Sequence, residues 1–254
     1  MNKLNVTKLT TILFTLLVCL VVAYLLLARP LLFSASPPTG GQGLFSSFSQ
    51  EQVQGIDVSH DQGSVDWTQV ATTQVAFVYH KASDGITWQD PMFSTNIAAL
   101  NSLHLPAGPY HFFEAEDDAL KQADNFLTSI RGHSLSLRPM VDVEITRNQS
   151  SDIIQAGLRQ FLTKIKQATG CDAIIYSYKD FWEANIGPNF NDYDFWLADY
   201  SATMTPPAEV KNLKLWQYSD KGKIPGIKGD VDLDKLLDDG GLATLMCDYK
   251  AAQE

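Results

Sequence analysis

Two acidic residues, Asp142 and Glu144, stand two positions apart in the otherwise apolar segment Met140-Val141-Asp142-Val143-Glu144. The apolar residues predict a buried strand. Because side chains alternate along a strand, both carboxyl groups must emerge on one face, roughly 6.5 Å apart. Burial and mutual repulsion raise the pKa of one of two such acids, as a general acid requires. The alternative is a strand end whose acids cap a helix or pair with a lysine, and the motif alone does not separate the two.

Short apolar runs alternate with longer segments from Gln54 onward, which predicts strands separated by helices. The eight runs cover residues 55–59, 75–81, 107–113, 139–145, 173–177, 195–198, 213–218 and 230–233. Helical apolar spacing covers residues 91–103, 119–130 and 153–169, with Ser151-Asp152 as an N-cap region and Gly170 as a stop. We therefore predict an α/β fold, a modified TIM-like (β/α) barrel with fewer than eight helices and an irregular last third.

The residues that close these runs share one chemical character. They are Asp57 with Ser59, Lys81, Tyr110 with His111, Asp142 with Glu144, Tyr176 with Tyr178, Asp199 with Tyr200, Gln217 with Tyr218, and Asp232. Functional groups of such barrels gather at the carboxyl ends of the strands. Acids and aromatic rings together suit sugars, whose ring faces stack while their hydroxyls form hydrogen bonds. The predicted substrate contacts are Tyr110, Tyr176, Trp196, Tyr200, Trp216, Gln217, Lys81 and Asp232. The alternative is core packing for Tyr110, Tyr176, Trp196 and Trp216, a structural ion pair for Lys81, and a strand-end acid for Asp232.

Several ordered segments carry a more specific signal. They read GIDVS (55–59), FVYHKASDG (77–85), GPYHFF (108–113), VDVE (141–144), WLADY (196–200) and WQYS (216–219). In this combination the chain resembles the family 25 glycoside hydrolases, the Chalaropsis-type lysozymes, over about residues 55–236. The resemblance implies hydrolysis of the β-1,4 bond between N-acetylmuramic acid and N-acetylglucosamine in peptidoglycan, without a cofactor.

The resemblance also implies roles for the carboxylates. Glu144 would be the general acid, and Asp142, Asp57 and Asp199 would line the site. Strand spacing does not decide between a nucleophilic and an inverting route. We favour a third route, in which the 2-acetamido group of the sugar attacks while Asp142 orients it.

One departure from the family pattern bears on activity. Where the family usually has Lys-Ala-Thr-Glu-Gly, this chain has Lys81-Ala82-Ser83-Asp84-Gly85, so that the acid is shorter by one methylene. This keeps open a catalytically weak or inactive peptidoglycan-binding module on the same barrel. A chitinase or glucosaminidase specificity and a purely structural membrane-tethered protein are the further alternatives.

The amino-terminal residues differ from the rest of the chain. Residues 11–28 are almost wholly apolar and long enough to span a bilayer, which predicts a signal anchor over residues 1–33. A Pro/Ser/Gly-rich linker over 34–52 and a catalytic domain over 53–254 would follow. Lys3 and Lys8 favour an amino terminus in the cytoplasm and an exported domain. Cys171 and Cys247 would then either form a disulfide or stay separate.

Charge limits the partners of the exported domain. The net charge is −10, and the sequence has no cluster of lysine and arginine, which argues against a nucleic-acid partner. We expect a monomer whose partners are the glycan strands of peptidoglycan and, through the anchor, the membrane.

Overall fold

Eight strands close into a barrel in the computed structural model, which describes residues 53–249. A ninth, short strand lies beside the barrel. The strands are β1 (Gln54–Val58), β2 (Val75–Asp84), β3 (Trp88–Gln89), β4 (Ala107–Phe112), β5 (Met140–Asp142), β6 (Ile174–Tyr178), β7 (Asp194–Ala198), β8 (Asn212–Gly222) and β9 (Val231–Leu236). Each predicted run overlaps one barrel strand, so the predicted number of strands is confirmed.

Strand direction separates this barrel from the predicted TIM-like one. Around the barrel the order is β1, β2, β4, β5, β6, β7, β8, β9 and back to β1, while β3 forms a hairpin with the end of β2. All neighbours from β1 to β8 are parallel, but β9 is antiparallel to both β8 and β1. A TIM barrel has eight parallel strands, each followed by a helix. The TIM-like label is therefore corrected: residues 223–230 are too few for a parallel crossover, so β9 returns as a hairpin.

The helices are fewer than the strands, as predicted. They are α1 (Trp67–Val70), α2 (Phe93–Ser102), α3 (Ala119–Ile130), α4 (Ser151–Thr169) and α5 (Lys179–Phe181). Asp118 begins α3 by accepting hydrogen bonds from the amides of Leu120 and Lys121, each at 3.0 Å. Gly170 ends α4 in the left-handed conformation, at φ +79°, which glycine adopts without strain. The N-cap of α4 is Ser150, one residue before the predicted position.

Two apolar layers hold these elements together. One fills the barrel interior and includes Phe77, Tyr79 and Trp196, while the other lies between the strands and helices α2 to α4. The interior is tight at Gly55, where a Cβ atom would lie 2.2 Å from the Phe77 ring. Glycine at this position lets the aromatic core fill the barrel below the mouth.

The carboxyl-terminal segment closes the base of the barrel. Leu245 is fully buried in the interior layer, and its carbonyl accepts a hydrogen bond from the Arg138 amide at 2.8 Å. Cys247 forms a disulfide with Cys171, which precedes β6. Of the two states that the sequence leaves open for these cysteines, the structure has the disulfide.

The predicted anchor (1–33) and nearly all of the predicted linker (34–52) fall outside the described residues. Within residues 53–249, no helix combines the length and the apolar character needed to cross a membrane.

Candidate active site

Four carboxyl groups meet at the mouth of the barrel. Asp57 lies near the end of β1, Asp142 ends β5, Glu144 follows two residues later, and Asp232 lies near the start of β9. Because β9 is antiparallel to β1, Asp232 stands directly opposite Asp57 at the same mouth. Asp57 and Asp142 are only 7% and 8% exposed, whereas Glu144 and Asp232 are half-buried. The structure thus brings together three of the four predicted catalytic residues with one predicted substrate contact.

Asp142 and Glu144 form a coupled acidic pair. Burial and then the charge of Glu144 raise the pKa of Asp142 well above its usual value, while the Lys81 ammonium opposes the rise. Burial also raises the pKa of Glu144, although its hydrogen bond with Asp142 acts in the opposite direction. Such a pair retains one proton at a pH where two isolated acids would both be ionised. Within the described residues, no donor reaches the buried Oδ1 of Asp142.

Asp57 is held by the side-chain amide of Gln217. The Nε2 of Gln217 donates to Oδ2 of Asp57 at 2.7 Å. The Oε1 of Gln217 accepts from the hydroxyls of Tyr176 at 2.8 Å and Tyr200 at 2.6 Å, which fixes the orientation of the amide. Burial and then the charge of Asp232 raise the pKa of Asp57, and the Gln217 bond opposes this rise. Gln217, predicted as a substrate contact, therefore acts on Asp57 in this structure.

Asp234 adds a further carboxyl group that the sequence analysis missed. It is fully buried on β9, and no donor among residues 53–249 bonds to either of its oxygens. Burial, followed by the charges of Asp57 and Asp232, raises its pKa well above the usual value. The available signal was its spacing, because Asp232 and Asp234 repeat the two-residue interval of Asp142 and Glu144.

Lys81 and Tyr110 also reach the carboxylates. The Lys81 Nζ lies 2.8 Å from Oδ2 of Asp84, so the acid that is shorter than in the family pattern still pairs with this lysine. Tyr110 is 9% exposed, and after burial the charges of Asp57 and Asp142 raise its pKa most. Its ring therefore lies at the floor of the site, beside the acids.

Asp199 follows β7, and its carboxylate forms hydrogen bonds within its own loop. Its Oδ1 accepts from the amide and hydroxyl of Ser201, and its Oδ2 accepts from the amide of Thr205 at 2.8 Å. Burial acts to raise its pKa, but these hydrogen bonds outweigh burial, and the net pKa is lowered. In this structure, both oxygens of the Asp199 carboxylate therefore accept hydrogen bonds from residues of its own loop.

Two predicted sugar platforms lie away from the mouth. Trp196 is fully buried in the interior, with its ring centroid 4.9 Å from that of Tyr79, and offers no surface to a ligand. Trp216 alternates with the inward-facing Leu215 and Gln217, so it lies on the outer face of β8, where Lys235 approaches its ring at 5.2 Å. Large aromatic side chains usually pack in the core, which explains the buried position of Trp196.

Comparisons with known proteins identify the family of the chain. Residues 56–227 match the family model described as glycosyl hydrolases family 25. The chain is 33% identical over 184 residues to the autolytic lysozyme of Clostridium acetobutylicum, covering 72% of this chain but only 56% of that protein. It is 31% identical over 209 residues to lysozyme M1 of Streptomyces globisporus, covering 76% and 70% of the two chains.

Solved structures with the same fold include two lysozymes. The lysozyme of Streptomyces coelicolor is 28% identical with a TM-score of 0.68, over 77% of this chain and 96% of that one. A family 25 lysozyme of Aspergillus fumigatus is 30% identical with a TM-score of 0.67, over 76% and 97% of the two chains. Since the family model covers well over half of the sequence, the chain belongs to glycosyl hydrolases family 25.

Proposed function

We propose that the chain is a muramidase, which hydrolyses the β-1,4 bond between N-acetylmuramic acid and N-acetylglucosamine of peptidoglycan. The observation that carries this proposal is the placement of the buried Asp142 and the half-buried Glu144 together at the mouth of a family 25 barrel. The lysozymes among its relatives support the substrate class. The Asp84–Lys81 ion pair supports an active enzyme over an inactive binding module, because the shorter acid still reaches a cation of the site.

Glycoside cleavage needs a proton on the leaving oxygen while positive charge develops at the anomeric carbon. Glu144 is the more exposed acid of the pair and is therefore the one that reaches a glycosidic oxygen. Burial raises the pKa of both acids, so the pair retains one proton between them. Glu144 delivers this proton as the general acid.

The acetamido group of the substrate supplies the nucleophile in the route that we favour. Its carbonyl oxygen attacks the anomeric carbon as the bond to the leaving oxygen breaks, and its N–H donates to Asp142. Asp142 ends β5 beside Glu144 and keeps 8% of its surface exposed, which suits this acceptor role. Asp57 and Asp232 face each other at the same mouth, where an ionised carboxylate stabilises the developing positive charge. Water then opens the cyclic intermediate with net retention, so a first product of inverted configuration by NMR would exclude this route.

Replacement of the general acid tests the proposed activity directly. In Glu144→Gln, the amide keeps the shape but donates no acidic proton, so we expect a rate loss of roughly 10²- to 10⁴-fold on purified sacculi. Turbidity clearing and mass spectrometry of the reducing-end sugar measure the rate and the specificity. The domain from residue 49 is the unit to use, with thermal unfolding as the folding control. Unchanged clearing by this variant, or binding without clearing by the parent, would reject the muramidase.

We also propose that the domain is exported, is monomeric and is held to the membrane by residues 1–33. The Cys171–Cys247 disulfide supports export, since such bonds persist in oxidising compartments. The apolar segment 11–28 supports the anchor. Recovery of the full-length protein in the soluble fraction with an intact amino terminus would contradict the anchor.

A further inference from the structure

Three exposed aromatic side chains surround the mouth of the barrel. Among the described residues, the exposed large apolar side chains include three aromatic ones, Trp88 at 36%, Tyr178 at 40% and Tyr200 at 52%. Tyr178 ends β6, Tyr200 follows β7, and Trp88 lies on the hairpin that extends β2. The other members of this exposed set are aliphatic. The clustering of the aromatic members at the carboxyl ends of strands sets them apart from scattered surface residues.

The hairpin that carries Trp88 is held in place by one buried residue. The Nδ2 of Asn125, on α3, lies 3.3 Å from the carbonyl oxygen of Asp84 and 3.0 Å from those of Gly85 and Trp88. The Oδ1 of Asn125 accepts from Nε2 of Gln89 at 3.1 Å. Gly85 makes the turn at φ +49°, a conformation that favours glycine. Trp88 is thus presented on a preformed turn, and a ligand need not order it.

Trp88 is also linked to the carboxyl cluster through Lys81. The Lys81 ammonium lies 5.2 Å from the Trp88 ring centroid and 4.8 Å from that of Phe112. The same ammonium opposes the rise in the pKa of Asp142. Trp88 is therefore separated from the acidic pair by the Lys81 side chain alone.

Tyr178 occupies the other side of the catalytic pair. In the barrel, β5 with Asp142 lies between β4 and β6, and β2 is the neighbour of β4. Trp88, on the β2 side, and Tyr178, at the end of β6, therefore flank the carboxyl end of β5 from opposite directions. A linear glycan that lies over Glu144 has sugar rings on both sides of the bond to be cleaved.

We propose that Trp88 and Tyr178 are the sugar platforms on the two sides of the cleaved bond, so that the glycan strand crosses the mouth from the β2–β3 hairpin to the end of β6. This inference rests on the proposed muramidase function and names the path of its substrate. Trp88 contributes the larger share, because its ring is the larger and is rigidly held.

Alanine variants test the path. In Trp88→Ala and Tyr178→Ala, we expect KM for glycan fragments of peptidoglycan to rise roughly 5- to 30-fold and roughly 3- to 10-fold, with the main loss in KM rather than kcat. Trp88→Phe should recover most of the affinity, since a ring remains. Leu120→Ala and Ile153→Ala are matched controls, because both remove an exposed apolar side chain from a helix. Neither control should change KM.

Binding without turnover separates this inference from the proposed function. The same substitutions made in Glu144→Gln are compared by co-sedimentation with sacculi, where the platforms should again weaken binding and the controls should not. If the parent clears sacculi but Trp88→Ala and Tyr178→Ala match the controls in KM and in sedimentation, the platforms are refuted and the muramidase stands. If the parent neither binds nor clears sacculi, the proposed function fails, and the glycan path fails with it.

Discussion

The hydrogen bond from Gln217 to Asp57 gives a sharp test of how the site is held in its working charge state. Gln217 is 2% exposed and uses its whole amide, donating to Asp57 and accepting from Tyr176 and Tyr200. Gln217→Leu keeps the approximate volume and removes all three bonds. A hydrogen bond to a charged group contributes about 1.5–3 kcal/mol, which corresponds to a rate loss of roughly 10- to 150-fold if it is needed in the transition state.

The pH profile gives the expected loss a direction. The Gln217 bond lowers the pKa of Asp57, so its removal lets burial and Asp232 raise that pKa further. If catalysis needs ionised Asp57, the acidic limb of kcat/KM on glycan fragments moves to higher pH. The loss is then larger at pH 5 than at pH 8.

A second buried glutamine provides the control for stability. Gln122 is fully buried and bonds the backbone of Glu114 at 2.8 Å in both directions, and it is not among the groups that shift the pKa of Asp57. Gln122→Leu should cost about 1–3 kcal/mol of folding free energy for each polar group left without a partner, yet leave the pH profile in place. If kcat/KM of Gln217→Leu stays within threefold of the parent value and the acidic limb of its pH profile does not move, the proposed role of Asp57 is refuted.

Two further predictions concern stability. Burial and then Asp220 raise the pKa of Asp232 from 3.8 to about 6, so the folded state binds the extra proton and the unfolding free energy falls as pH rises through this window. The unfolding free energy of Asp232→Asn, compared with that of the parent, should therefore be higher at pH 8 than at pH 4 by on the order of 1–2 kcal/mol, after allowance for solvent screening. Urea titrations at both pH values measure this difference, and an equal difference between variant and parent at both would contradict the prediction. The Cys171–Cys247 disulfide joins residues 76 positions apart. The double variant Cys171→Ser with Cys247→Ser should therefore have an unfolding free energy lower by about 2–4 kcal/mol. An unchanged melting temperature would show that the segment 240–249 is held by packing alone.

Burial explains why most of the fold could be predicted from the sequence. Strands β1, β2 and β4 to β7 are covered on both faces, so they read as apolar runs, and α3 was predicted at its observed bounds because its apolar positions repeat with helical spacing. The direction of β9 could not be read in this way. A run of residues has the same apolar pattern in either direction, and only the short connection from β8 points to a hairpin.

The site was predicted where chemistry follows the strand pattern and was missed elsewhere. Asp142 and Glu144 emerge together, as their spacing requires. Which side of the wall an aromatic residue faces depends on register, and β7 and β8 carry register shifts at Phe195/Trp196 and Gln217/Ser219 that no sequence signal marks. Trp88 lies on β3, a strand of two residues, which is too short to show any periodicity.

Because β9 runs antiparallel and closes the barrel, the carboxyl cluster can be completed only late in synthesis. Asp57 stands on β1, the first of the eight barrel strands to leave the ribosome, whereas its facing acid and the seam between β8 and β1 come from β9, the last of them. A nascent chain that still lacks residues 231–236 has an open barrel and an incomplete set of carboxylates. The set of four carboxyl groups can therefore be complete only after the whole domain has emerged.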